Sequence, residues 1–350
     1  MTRDRRRVYI FAPNWLGDAV MALPAIADLR RHFSEAQFVV AARPSVGSLF
    51  DLVPDIDRVA TLRWRGRAPW TRAFRGDLET LRAEGDPAGD IAVLLPNSFA
   101  AAWVAKRAAI PERWGYATDW RASLLTRSIR VPGGSVHQGR YYQQLTAALG
   151  VPSGPLEPRV NVPAAIRERV RPLLEHAGWD GKQTLVAIAP GAAYGTAKRW
   201  LPTYFAQLIA ALARDRGVQA VLVGGAGDAA SVRLILRDHA AREARPIDVV
   251  SKTSLHELAG VIALSSVCVS NDSGAMHLAG AIGTPIVALF GPTRETETAP
   301  LVRAGGRRDV LIHPVWCRPC MLRECPIDHR CMKGLSPQRV VDAVGRNLPA

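Results

Sequence analysis

The stretch Val267-Cys268-Val269-Ser270-Asn271-Asp272-Ser273-Gly274-Ala275-Met276-His277 is the most informative part of this chain. Its start is an apolar run typical of a buried parallel strand, and residues 276–282 have the spacing of a helix. Polar residues thus stand where a strand ends and a helix begins, which is where open α/β sheets hold their ligands. Because backbone N–H groups are free at a helix N-terminus, the stretch predicts an anion site.

A second stretch, Asn14-Trp15-Leu16-Gly17-Asp18, lies between a strand-like run at 8–12 and a helical pattern at 19–33. Strands and helices alternate along the rest of the chain, which predicts βαβ units and parallel sheets. The other strand-like runs are 38–42, 58–61, 91–95, 184–189, 220–224, 248–250, 267–270 and 286–290. The other helical patterns are 202–214, 226–240, 255–264, 276–282 and 337–348, the last with Ser336 as its N-cap.

A Pro- and Gly-rich segment, Val151-Pro-Ser-Gly-Pro-Leu-Glu-Pro, interrupts this alternation and is typical of a linker. The length of 350 residues and the hydrophobic content of 48% suffice for two separate cores. We therefore predict an α/β fold with two Rossmann-like domains, at 1–152 and 162–325. The linker is expected at 153–161, and a C-terminal segment with a helix at 326–350.

The net charge of +14 favours an acidic partner, such as nucleic acid, an anionic membrane or a phosphorylated substrate, unless the charge is merely solvated. Guanidinium groups match phosphate and carboxylate oxygens, and interleaved aromatic rings suit single-stranded nucleic acid. The densest basic patch comprises Arg63, Arg65, Arg67, Arg72 and Arg75, with Trp64 and Trp70 between them. The chain shows no nucleic-acid-binding motif and no apolar run that suits a transmembrane helix or a signal peptide, so we expect a cytoplasmic protein.

The loop Ala189-Pro190-Gly191-Ala192-Ala193-Tyr194-Gly195-Thr196-Ala197-Lys198-Arg199-Trp200 follows another strand-like run. Its small residues let backbone N–H groups approach a diphosphate, and Lys198 would add a point charge, unless this is an ordinary loop with solvated cations. Farther along, Asp228 either contacts a ribose hydroxyl or caps the helix that it begins. Gly225 and Gly227 match a dinucleotide fingerprint, which leaves an NAD-dependent oxidoreductase as an alternative. That fingerprint normally opens its domain, whereas here a strand and a helix precede it.

Side chains around the two strand ends suggest acid-base and anion chemistry. His277 is one helical turn from Ser273, so both face the same crevice. Asp272 would repel a diphosphate, so we expect it to cap the helix or to hold backbone donors in place. Asp18 is a candidate base for an acceptor hydroxyl, or else an acidic residue that the helix dipole favours.

Four cysteines, Cys317, Cys320, Cys325 and Cys331, lie close together, with His313 and His329 nearby. In a cytosolic chain such clustering indicates a bound metal ion rather than disulfides, with zinc as the first candidate. The spacing is not that of a familiar zinc finger, so a reduced loop is the alternative. Cys268, in a strand-like run, is predicted to be a core residue.

Taken together, these motifs resemble the ADP-heptose:lipopolysaccharide heptosyltransferases, most closely those of type II, over nearly the whole chain. The resemblance rests on Asn14–Asp18, Ala22-Leu-Pro-Ala-Ile26, Leu95-Pro-Asn-Ser-Phe99, Pro190–Trp200, Asn271–His277 and Phe290-Gly-Pro-Thr293. Where type I relatives have a pair of threonines before the lysine, this chain has Ala193-Tyr194, which favours type II. The resemblance implies a GT-B fold, in which two Rossmann-like domains with parallel sheets face each other across a cleft.

The resemblance also implies roles for individual residues. Asp18 looks like the catalytic base, and Lys198 like the ligand of the donor diphosphate that stabilises the departing charge. The implied donor-binding residues, on the C-terminal domain, are Gly191, Lys198, Asp228, Thr253, Leu255, Asp272, Ser273, Gly274 and His277. The implied acceptor-binding residues, on the N-terminal domain, are Asn14, Arg63, Arg65 and Arg67.

The reaction implied is an inverting transfer of heptose from ADP-L-glycero-D-manno-heptose to the first heptose of the lipopolysaccharide inner core. It calls for no cofactor and no metal, and its partners are ADP-heptose and an acidic glycolipid rather than nucleic acid. The basic patch would draw the protein to the cytoplasmic face of the inner membrane. The alternatives are a type I enzyme acting on Kdo-lipid A, an NAD-dependent oxidoreductase, and a basic nucleic-acid-binding protein.

Overall fold

The structure, a computed structural model, describes residues 6–64, 71–82 and 89–349. The chain forms two compact units, Met1–Arg159 and Val160–Ala350. The division between them falls within 153–161, the segment assigned above to a linker. Each unit is built around a six-stranded parallel sheet.

The first unit has the strand order 3-2-1-4-5-6, counted along the chain. Its strands are β1 (Arg7–Phe11), β2 (Gln37–Ala42), β3 (Arg58–Thr61), β4 (Ile91–Leu94), β5 (Glu112–Tyr116) and β6 (Arg127–Ile129). Its helices are α1 (Leu16–Met21), α2 (Leu23–His32), α3 (Pro44–Gly47), α4 (Arg72–Leu81), α5 (Phe99–Arg107) and α6 (Gln138–Ala148). The strand order reverses between β1 and β4, so their carboxyl ends border a crevice suited to a ligand.

The second unit repeats this order, because its strands run β12-β11-β10-β7-β8-β9 across the sheet. The strands are β7 (Leu185–Ala189), β8 (Gln219–Leu222), β9 (Ile247–Asp248), β10 (Val267–Asn271), β11 (Ile286–Phe290) and β12 (Arg308–Ile312). The helices are α7 (Ala164–His176), α8 (Pro202–Arg216), α9 (Ala229–Ile235), α10 (His239–Glu243), α11 (Leu255–Leu264), α12 (Gly274–Ile282), α13 (Glu295–Thr298), α14 (Arg330–Lys333) and α15 (Pro337–Asn347). Here the order reverses between β7 and β10.

The predicted strands all occur, within a residue or two at their ends, but three further strands were missed. Strands β5 and β6 are rich in polar residues and lack the solid apolar run of a buried strand. Strand β12 lies at the edge of its sheet and is only half-buried. The prediction of a single helix at 19–33 was wrong, because α1 and α2 divide that segment.

The C-terminal helix α15 belongs to the second unit, where it packs against α8. Its apolar face is buried in the core of that unit through Val340, Val341 and Val344. Ser336 occupies the N-cap position, as predicted. Cys268 is fully buried in β10, which confirms its role as a core residue. Across the described ranges, no helix combines the length and the apolar character needed to cross a bilayer.

Candidate active site

The switch point of the second sheet is held together by Asn271, at the end of β10. Its side-chain oxygen accepts a hydrogen bond from the Trp200 backbone N–H at 3.0 Å, and its amide donates to the Pro190 carbonyl at 2.8 Å. Asn271 is fully buried, so these bonds are shielded from water. They fix both ends of the loop that follows β7, here called the Lys198 loop (residues 190–200), to the neighbouring strand.

Lys198 and Asp272 form an ion pair at this point. The Lys198 Nζ lies 2.6 Å from Asp272 Oδ2, and the Thr293 hydroxyl donates to the same oxygen at 2.6 Å. The side chains of Lys198 and Asp272 are 12% and 5% exposed, so the pair is largely buried. Of the two roles expected for Asp272, capping of α12 was wrong, because Ser273 is the N-cap residue and the Asp272 carboxylate is bound by these two side chains. The ammonium also lies over the Tyr194 ring, 4.7 Å from its centroid.

The N-terminus of α12 opens beside this pair. Ser273 is the N-cap residue, and its hydroxyl lies 3.0 Å from the Ser270 hydroxyl. Among the described residues, the Ser273 side chain makes no capping bond to the helix backbone. The first N–H groups of α12, from Gly274 onward, therefore remain available for an anion. His277, one turn farther, is 3% exposed, so little of its ring faces solvent.

Asp228 and Gly191 are brought together at the ends of the adjacent strands β7 and β8. Asp228 occupies the N-cap position of α9 but makes no side-chain capping bond to that helix; its carboxylate instead accepts a hydrogen bond from the Gly225 backbone N–H at 2.9 Å, which caps the preceding 3-10 turn. A Cβ atom at Gly191 would collide with the same carboxylate, so only glycine allows this approach. Thr253 and Leu255 follow β9, one strand farther along the same edge, and both are half-buried.

The glycine pattern at Gly225 and Gly227 follows β8, the second strand of its unit. A dinucleotide fingerprint instead follows the first, central strand, where its helix points at the pyrophosphate. In this chain that place belongs to β7 and the Lys198 loop. The topology therefore speaks against the oxidoreductase alternative.

Asp18 lies in the first turn of α1 and is half-buried. Burial raises the pKa of the Tyr142 hydroxyl, on α6, and the negative charge of Asp18 raises it further. Asp18 therefore lies close enough to α6 for its charge to affect the Tyr142 hydroxyl, while its carboxylate remains partly open to solvent.

A pocket lies at the carboxyl edge of the first sheet. It is lined by residues that follow four strands, namely Ala12, Arg43, Leu62 and Pro96, together with Asn14 and Trp64. The Arg43 Nε donates to the Asn14 side-chain oxygen at 3.3 Å, and the same guanidinium donates to the Trp64 carbonyl. Arg43 was missed in the sequence, although a cation directly after the strand-like run 38–42 was a usable signal.

The basic patch differs in part from its prediction. Arg63 is exposed, and its backbone N–H donates to the Asp77 carboxylate at 2.8 Å. Arg65, Arg67 and Trp70 lie outside the described residues. Trp64 is buried and packs edge-on against Phe74, with the ring centroids 4.7 Å apart. Trp64 is therefore a core residue, and its ring cannot stack on a base as the single-stranded nucleic-acid alternative would need.

The four clustered cysteines line one small cavity of about 20 Å³. Burial raises the pKa of the Cys331 thiol, and the neighbouring cysteines raise it further. Within the part of the chain that the structure describes, no group of three Cys, His, Asp or Glu side chains is arranged to hold a metal ion. The same segment contacts the Lys198 loop, because the His329 Nε2 lies 2.7 Å from the Ala197 carbonyl oxygen.

Known proteins share this architecture. The model of glycosyltransferase family 9 (heptosyltransferase) matches residues 81–330. Lipooligosaccharide heptosyltransferase 2 of Campylobacter jejuni is 25% identical over 345 residues, which cover 96% of each chain. Lipopolysaccharide heptosyltransferase 2 of Escherichia coli is 28% identical over 304 residues, which cover 84% of this chain and 85% of the relative.

A solved structure, that of E. coli ADP-heptose lipopolysaccharide heptosyltransferase II, matches with a TM-score of 0.81 at 26% identity, over 97% of this chain and 98% of that one. This match confirms the predicted fold class, an α/β protein of the GT-B type with two parallel sheets. The family match spans most of the chain and includes both loops that supply Lys198 and Asp272. The protein is therefore a glycosyltransferase and belongs to glycosyltransferase family 9, the heptosyltransferase family.

Proposed function

We propose that this enzyme is a heptosyltransferase of type II. It transfers heptose from ADP-L-glycero-D-manno-heptose to the first heptose of the lipopolysaccharide inner core, with inversion at the anomeric carbon. The names of the relatives in C. jejuni and E. coli support type II. Ala193 and Tyr194, which stand where type I relatives have threonines, support the same choice.

The observation that carries this proposal is the buried cluster of Lys198, Asp272 and Thr293 beside the N-terminus of α12. An ammonium has three N–H donors, so Lys198 can keep its bond to Asp272 and still donate to diphosphate oxygens. The bond to Lys198 offsets most of the repulsion between the Asp272 carboxylate and the diphosphate. The remaining proposed donor contacts are Gly191, Asp228, Thr253, Leu255, Ser273, Gly274 and His277.

In the proposed reaction, Asp18 removes the proton from an acceptor hydroxyl as that oxygen attacks the anomeric carbon of the donor. The bond from this carbon to the ADP oxygen breaks at the same time, and ADP departs with the electron pair. Lys198 and the N–H groups of α12 stabilise the charge that develops on the diphosphate. A single displacement of this kind accounts for inversion without a covalent intermediate.

On the first unit, we assign the acceptor to Asn14, Arg63, Arg65 and Arg67. Arg43 joins this set, because it holds the Asn14 side chain and lines the pocket at the sheet edge. The acceptor is an acidic glycolipid, and guanidinium groups bind its phosphates and carboxylates well. The net charge of +14 supports peripheral contact with the anionic cytoplasmic face of the inner membrane.

Incubation with ADP-heptose and a core acceptor that carries one heptose, followed by mass spectrometry, tests the proposal. We expect the acceptor to gain the mass of one heptose residue, and Kdo-lipid A without heptose to stay unchanged. Product on Kdo-lipid A alone would instead indicate type I. Tight binding of NAD in calorimetry, with no affinity for ADP, would indicate the oxidoreductase.

A further inference from the structure

The segment that contains the four cysteines packs on the donor loops. We define the cysteine segment as residues 313–333, which run from the end of β12 through α14. We propose that this segment is a brace that holds Lys198 and Asp272 in position for the donor, with Tyr194 and Arg318 as positioning residues. The inference rests on the proposed function of Lys198 as the diphosphate ligand.

The brace forms hydrogen bonds to Ala197, the residue directly before Lys198. The Ala197 N–H donates to the Arg323 carbonyl at 2.9 Å, and the Ala197 carbonyl oxygen lies 2.7 Å from the His329 Nε2. Both backbone polar groups of Ala197 are thus bound by the cysteine segment. Because Ala197 is 2% exposed, water cannot easily replace these bonds.

Tyr194 links the brace to the Lys198 ammonium. Its hydroxyl donates to the Met321 carbonyl at 2.8 Å, while its ring lies beneath the Lys198 Nζ. The Arg323 guanidinium lies over the same ring, 5.3 Å from the centroid. Movement of the cysteine segment would therefore shift the ring on which Lys198 rests.

Gly195 shows how closely the two segments approach. A Cβ atom at Gly195 would collide with the backbone of Arg323. A backbone clash cannot be relieved by the rotation of a side chain, so a larger residue would push the Lys198 loop away from the brace.

Arg318 holds the other side of the ion pair. Its guanidinium donates to the Thr293 carbonyl at 3.0 Å, to the Glu295 carboxylate at 2.7 Å, and to the Gly291 carbonyl. The Thr293 hydroxyl in turn donates to Asp272, the partner of Lys198. The Arg318 side chain is 9% exposed, so its position is set by these bonds. The cysteine segment thus binds the Lys198 loop directly, and it acts on Asp272 through Thr293, on the loop that follows β11.

Three variants test the brace by their effect on donor binding. Tyr194→Phe keeps the ring under Lys198 but removes the bond to Met321, so we expect the KM for ADP-heptose and the Kd for ADP to rise about two- to tenfold, as for one neutral hydrogen bond. Arg318→Ala should raise both about 10- to 100-fold, because it removes charge-assisted bonds. Arg318→Lys should recover part of the loss. The KM for the acceptor should not change in any of them.

The matched control is Arg330→Ala, which removes a partly exposed arginine of the same segment that pairs with Asp328 and lies over the Trp316 ring, away from the Lys198 loop. It should leave the donor KM and the ADP affinity unchanged. Variants Tyr194→Phe and Arg318→Lys that lower only the Tm, with the wild-type donor KM and ADP affinity, would overturn the brace. Wild-type protein that does not bind ADP would contradict the proposed function itself, and the brace with it.

Discussion

Lys198 Nζ lies 2.6 Å from Asp272 Oδ2, although the two residues come from loops after different strands. The parallel pairing of β7 with β10 brings these loops together, and Asn271 fixes one to the other. A carboxylate at the proposed diphosphate site is unfavourable by itself, but here it orients the cation that the diphosphate needs. Under the proposed function, the pair therefore couples the stability of the second unit to donor binding.

This coupling predicts different outcomes for single and double variants. Lys198→Met leaves the buried Asp272 carboxylate without its cation, so we expect a loss of about 3–5 kcal/mol in the free energy of unfolding, together with loss of ADP binding. The double variant Lys198→Met/Asp272→Asn should regain most of the stability but not the binding. Urea unfolding and calorimetry measure the two quantities. A double variant as unstable as Lys198→Met would show that the pair is not the cause.

Asp18 is predicted to act in the chemical step and not in donor binding. Asp18→Asn keeps the size of the side chain but removes the base, so we expect kcat to fall by about 10²- to 10⁴-fold with an unchanged Kd for ADP. Glu79→Gln, which neutralises an exposed carboxylate on α4, serves as the control. Wild-type turnover in Asp18→Asn would exclude Asp18 as the base.

Two glycines offer a matched comparison at the Asp228 carboxylate. Gly191→Ala places a methyl group against this carboxylate, whereas the corresponding position at Gly225 is open space. We expect Gly191→Ala to displace Asp228 and to weaken ADP binding, and Gly225→Ala to bind ADP as the wild type does. Calorimetry with ADP measures both. Equal affinities for the two variants would mean that the position of Asp228 does not matter for the donor.

Cys268 predicts a dependence of stability on alkaline pH. Burial raises the pKa of its thiol from the ordinary value of 9.0 to about 12. Above pH 9 the unfolded chain therefore loses a proton that the folded protein keeps, so stability falls as the pH rises. Between pH 8 and 10 this effect amounts to about 1.4 kcal/mol.

Urea unfolding at the two pH values, for wild type and Cys268→Ala, measures this contribution. The variant lacks the thiol, so its free energy of unfolding should fall by about 1.4 kcal/mol less over this range. An identical fall in both proteins would show that the Cys268 thiol ionises as easily in the folded state as in the unfolded one.

Much of the fold was predictable because its signals are local. The buried strands β7, β10 and β11 appear as solid apolar runs, and small or polar residues mark the loops that follow them. Strands β5 and β6 were not predictable in this way, because hydrogen bonds to their neighbours, rather than apolar side chains, define them. Trp64 could not be placed from the sequence either, because arginines surround it along the chain, whereas in the fold it packs against the Phe74 ring in the core.

The sequence by itself determined the alternation of strands and helices, the placement of Asp18, Lys198 and Asp272 at strand ends, and the resemblance to the heptosyltransferases. Only the tertiary structure decided that Asp272 binds Lys198 and Thr293, that Arg43 holds Asn14, and that the cysteine segment packs on the Lys198 loop. The physical reason is the distance along the chain over which each kind of signal acts. Periodicity and turn chemistry act over a few residues, whereas these contacts depend on the order in which the sheet brings distant strand ends together.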